Sequence, residues 1–89
     1  MDLNKQCDIA KSMTESNATN EIICKQVINT PQIVKQESCQ IIDTLLKKHN
    51  LPFDKGFGIM KDDFKNIANK YNIDPASLFW IYMEWLKSE

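Results

Sequence analysis

KDDFKNIANKYNIDPASLFWIYMEWLK, residues 61–87, is the stretch that decides the fold class. Phe64, Ile67, Ala68 and Tyr71 recur at steps of three and four, the spacing of one helical face. Asp62 and Asp63 stand in the first turn of that helix, where acids complement the positive end of the dipole. Asn72 and Ile73 then read as a tight turn. Asp74 is a strong capping residue and Pro75 suits a first helical position, so a second helix opens at once and runs to about residue 87. No segment of this stretch carries the two-residue alternation of a strand.

Within residues 64–83 the pattern resembles a generic helix-turn-helix, though not any particular family. Ile67, Ala68, Tyr71, Asn72, Ile73, Leu78 and Ile81 fall where such a unit places its packing residues. The small Ala68 lets the helices approach, Asn72 suits the left-handed turn conformation usually given to glycine, and Ile73 plugs the turn. Two uses of this corner stand open: pure packing, or DNA reading with Lys65, Lys70 and Ser77 as contacts. A reading helix presents polar and basic groups to the base edges. Here it opens with an acid, Asp74, and offers only Ser77, so packing is the favoured use.

The second helix has a further peculiarity. Leu78, Ile81, Tyr82 and Trp85 make one apolar stripe, Ala76, Phe79, Met83 and Leu86 a second beside it, and Trp80 lies further round. Such a helix is either central, wrapped by partners such as Ile41, Leu45 and Ile67, or partly exposed. Because a chain of 10.3 kDa buries only about 60–65% of its unfolded surface, complete wrapping is not expected. Trp80, Tyr82, Met83 and Trp85 are therefore the expected partner-binding residues, since Trp, Tyr and Met are enriched at interface cores.

Outward from this corner the chain stays helical in pattern. All the aromatic residues, Phe53, Phe57, Phe64, Tyr71, Phe79, Trp80, Tyr82 and Trp85, lie in the C-terminal half. Residues 51–58, LPFDKGFG, read as the one real loop, because Pro52, Gly56 and Gly58 interrupt it. A helix to about His49 precedes it, with Val34, Ser38, Ile41 and Leu45 beside a row of Cys39, Ile42 and Leu46. Thr30 is expected to cap that helix with Pro31 in its first position, and Asn50 to close it. Residues 21–29 form a shorter helix capped by Thr19 or Asn20, with Ile23, Cys24, Val27 and Ile28 inward. Leu3, Cys7, Ala10 and Met13 share one face of an N-terminal segment that a polar break, residues 14–20, follows. Residues 1–20 are read as only partly ordered. The expectation is one all-α domain, a bundle of four to five helices with a helix-turn-helix-like three-helix corner at the C-terminus.

Composition narrows the function classes. The chain has 11 basic and 12 acidic residues, every basic one a lysine. Arginine supplies the planar fork that grips phosphate and guanine, so its absence weakens a nucleic-acid role. The acid and base counts balance in each half, leaving no basic arm or acidic tail. No apolar run is long enough to cross a bilayer and no leader pattern opens the sequence, so a cytoplasmic setting without membrane contact is expected.

Candidate chemical sites each lack a necessary element. Cys7, Cys24, Cys39 and His49 could supply a zinc site, but no two stand two to four residues apart, the usual structural pairing. Free reduced thiols are therefore expected, with no metal and no cofactor. His49 sits among lysines at a helix end, where it complements the dipole. Asp62 and Asp63 point about 100° apart on a helix and cannot act as a facing pair. The Lys55-Gly-Phe-Gly58 segment lacks the remaining parts of a phosphate loop. The expectation is a non-enzymatic regulator, inhibitor or adaptor docking a protein partner or a second copy of itself, with a DNA-associated helix-turn-helix regulator as the alternative.

Overall fold

The computed structural model describes residues 3–50 and 52–88, and every regular element among them is a helix. In chain order these are α1 (Leu3–Thr14), α2 (Asn20–Asn29), α3 (Gln32–His49), α4 (Phe53–Ile59), α5 (Lys61–Lys70) and α6 (Pro75–Ser88). The all-α class expected from the periodicities is thus observed, with six helices among the described residues rather than four or five.

Local chemistry sets most boundaries. Thr19 caps α2 by accepting the Ile22 N–H at 3.2 Å. Asn50 closes α3 in the left-handed conformation, φ 55° and ψ 42°, and its N–H bonds the Leu46 and Lys47 carbonyls. Asn72 takes φ 62° after α5, and the following Ile73 N–H reaches back to the Ala68 carbonyl at 3.0 Å. That bond satisfies a carbonyl the helix end would otherwise orphan. α1 ends in the same way: Glu15 has φ 56° and the Ser16 N–H bonds the Lys11 carbonyl at 3.0 Å.

Two expectations are corrected. Thr30 does not cap α3; its hydroxyl and N–H both turn back to the Gln26 carbonyl and finish α2, leaving Pro31 at the α3 cap position. The presumed loop contains α4, because Pro52 stands at its cap position and Phe57 is drawn into the core. Phe57, Phe64 and Phe79 meet there edge to face, with centroids 5.1, 5.5 and 6.2 Å apart. Neither Gly56 nor Gly58 needs a positive φ, so both fit a helical turn. In the N-terminal segment α1 packs against α2 and α6, burying Cys7 and Ala10 completely.

α6 is the central element. α1, α2, α3 and α5 all pack on it, and residues 76–82 are buried without a break. α1 is the wall that the sequence reading did not supply, and its presence lets a short chain enclose a helix that is apolar nearly all round.

Candidate functional site

Placement of α6 at the centre rearranges the expected binding surface. Trp80 is 8% exposed and Tyr82 1%, so neither is a surface docking residue; both belong to the core. The expected exposure of these two positions is corrected on that ground: both lie in the core that α1, α2, α3 and α5 build on α6. Met83 and Trp85 remain half-buried, and Leu86 beyond them is exposed. Trp85 stacks on Tyr82, with ring centroids 5.8 Å apart and planes 24° from parallel, so its indole is held by the core behind it.

Trp85 forms one wall of a cleft of about 210 Å³ between α2, α3 and α6. Val27 and Ile81 supply the apolar lining, while Gln32, Lys35 and Glu84 supply the polar rim. Ile28 and Ile33, the chain neighbours of Val27 and Gln32, are 76% and 66% exposed. Each follows a lining residue in the chain, Ile28 near the end of α2 and Ile33 in the first turn of α3. Ile28 was expected to point inward; the α2–α3 corner instead turns it to solvent, while Ile23 on α2 is fully buried. A larger groove of about 530 Å³ lies between the end of α3 and α6, but the Lys47–Asp43 ion pair at 2.9 Å makes its wall polar.

The helix-turn-helix corner exists as geometry, yet its second helix is occupied inward. Ser77 is fully buried, and its hydroxyl donates to Gln26 Oε1 at 2.7 Å, so its expected role as a DNA contact is corrected. Gln26 Oε1 also accepts the Asp74 N–H at 2.8 Å. Asp74 Oδ1 in turn accepts the Ser16 hydroxyl at 2.7 Å and the Ala76 N–H at 2.9 Å. Asp74 thus caps α6 as expected, but it also fastens the start of α6 to the α1–α2 connection. Gln26 was not anticipated: a lone glutamine on a short helix carries no sequence signal of a partner 48 residues away. Lys65 and Lys70 are exposed on α5, and the Lys70 ammonium sits 5.7 Å from the Tyr71 ring centroid.

The other sequence candidates do not converge. His49, Asp62, Asp63 and Lys55 are all exposed, and among the described residues no three His, Cys, Asp or Glu side chains gather as a metal site. Cys7 and Cys39 are fully buried and Cys24 half-buried, all three free. Burial pushes the Cys39 thiol up to about 11, and that of Cys7 likewise, with Cys24 beside it adding to the shift. Among the described residues no helix is long and apolar enough to cross a membrane.

No family model, curated protein or solved structure matches this chain.

Proposed function

We propose that this protein is a non-enzymatic interaction module that docks another protein at the Trp85 cleft. The observation that carries the reading is the tryptophan-walled cleft lined by Val27 and Ile81, with two exposed isoleucines, Ile28 and Ile33, next in the chain to its lining residues. Isolated exposed apolar residues are ordinary on a protein surface. An indole fixed by core stacking over a lining of Val27 and Ile81 makes a different feature, a preorganised aromatic anchor in an apolar cleft. Lys35 and Glu84 on the rim supply one charge of each sign, which suits a partner that inserts an apolar side chain and pairs its polar backbone around it. The docking helix expected from sequence is thereby reduced to its last turn: Trp85 and Leu86, with Met83 on an adjoining strip, rather than Trp80 and Tyr82.

The test is the double substitution Ile28→Lys with Ile33→Lys, which changes exposed side chains only. Melting temperature should stay within a few degrees of the parent, because surface substitutions usually alter stability by under about 0.5 kcal/mol. Self-association in the ultracentrifuge, or capture of a protein partner from source cells, should be lost. If the doubly charged variant binds as the parent does, the cleft is not the docking face.

A further inference from the structure

We infer that Cys7 and Cys24 form a reversible intramolecular disulfide, an oxidative modification site that fastens α1 to α2. The two Sγ atoms lie 3.9 Å apart, across the contact between the two helices and seventeen residues apart in sequence. A disulfide bond is about 2.05 Å long, so the sulfurs must close by roughly 1.9 Å, within the reach of side-chain rotation and small helix shifts. Cys39, on α3, has no such neighbouring sulfur in contact and is fully buried, so the pair is selective. Exposure is asymmetric in a useful way: Cys24 is half-buried and reachable by a small oxidant, whereas Cys7 is fully enclosed behind it.

The oxidant required is a peroxide. The Cys24 thiolate attacks one peroxide oxygen; an S–O bond forms, the O–O bond breaks, and the departing hydroxide takes a proton to become water. The Cys7 sulfur then attacks the Cys24 sulfur. The S–S bond forms, the S–O bond breaks, and the second oxygen leaves as water with the Cys7 proton. Two thiols and one hydrogen peroxide thus give one disulfide and two waters, each sulfur oxidised by one electron. A small-molecule dithiol reverses the bond by exchange, so the same pair stays reduced in a reducing compartment.

The consequence follows from where α1 sits. α1 packs on α6 as well as α2, and the residues that follow it are tied across the fold by the Lys61–Glu15 ion pair at 2.6 Å and the Ser16–Asp74 hydrogen bond at 2.7 Å. A covalent bond to α2 fixes this wall in place and closes a loop through the α1–α2 connection. Closure of a loop near 15 residues restricts the unfolded chain enough to raise the melting temperature by roughly 10–20 °C in a domain of this size.

Reduced full-length protein treated with stoichiometric hydrogen peroxide, alkylated and digested with trypsin provides the test. Cleavage after Lys5, Lys11 and Lys25 places Cys7 in peptide 6–11 and Cys24 in peptide 12–25, while Cys39 falls in peptide 36–47. The expected product is peptide 6–11 joined to 12–25, at the summed mass less two hydrogens, with Cys39 fully alkylated and the melting temperature raised. Dithiothreitol should reverse both changes. Cys24→Ala, at the half-buried position, should retain its fold by circular dichroism and lose both the cross-link and the thermal shift. Overoxidation of Cys24 with Cys7 still alkylatable would overturn the inference. So would a cross-link involving Cys39, or one joining two chains in place of the internal bond.

Discussion

Gln26→Met is the most informative single change to the fold. Methionine matches glutamine in length and fills the same space, but it cannot replace Oε1 as a strong acceptor. That oxygen accepts two bonds, from the Asp74 N–H at 2.8 Å and the Ser77 hydroxyl at 2.7 Å. Leaving a buried donor unsatisfied costs about 1–3 kcal/mol. Ser77 is fully buried and pays close to the upper figure, while the Asp74 amide lies partly within reach of water and costs less. The total expected is about 2–4 kcal/mol. Ser77→Ala removes one donor and leaves Gln26 its second bond, so it should cost only about 1 kcal/mol. Urea denaturation followed by tryptophan fluorescence reads both values, and the denaturant slope should not change. The two substitutions share a partner, so the double variant should cost less than their sum. If Gln26→Met costs under about 0.5 kcal/mol, the polar clamp at the start of α6 contributes nothing and the reasoning fails.

Three further outcomes are expected. Trp80→Ala should cost about 3–5 kcal/mol and Trp85→Ala about 1–2 kcal/mol by the same titration, since the first indole is 8% exposed and the second is half-buried. Equal costs would contradict the placement of Trp80 in the core. Stability should fall as pH rises from about 9 to about 11: burial raises the folded-state Cys39 thiol from 9.0 to about 11, so the unfolded chain loses its proton first. The Cys39 share is on the order of 2 kcal/mol, present below pH 9 and gone by pH 11, and Cys39→Ala should flatten that part of a pH series of melting curves. Asn72→Gly should be neutral or stabilise by up to about 1 kcal/mol, whereas Asn72→Val should destabilise, because φ 62° disfavours a branched side chain; calorimetry separates the two.

What could be read from sequence was what neighbouring residues decide. The caps at Thr19, Asn50 and Asp74 and the left-handed turn at Asn72 depend on side-chain oxygens and backbone angles within a few positions, so pattern alone located them. α4 was hidden because Pro52 and two glycines mimic a loop, and the force that winds it is distant, the burial of Phe57 against Phe64 and Phe79. α1 was legible only as a weak pattern for a related reason. Its short apolar face of Cys7 and Ala10 gives a weak signal alone and gains strength only against α2 and α6. The site suffered most, because an all-apolar helix reads the same whether enclosed or exposed. Position within α6 separated core from cleft: residues 76–82 are enclosed, and only beyond them does Trp85 reach the margin. Ile28 and Ile33, the most exposed large apolar residues described, stand on either side of the α2–α3 turn, and no local pattern sets them apart from buried isoleucines.

The claim that the Trp85 cleft is the docking face is tested most directly by site-specific photo-crosslinking in source cells. A benzophenone side chain replaces the exposed Ile33, next in the chain to the cleft-lining Gln32, in one version of the full chain, and Lys65 on the exposed face of α5 in another. Position 33 should yield a discrete covalent adduct with one protein, or with a second copy at twice the mass, that position 65 does not yield. Adducts from position 65 with nucleic acid or protein, and none from position 33, would contradict the account.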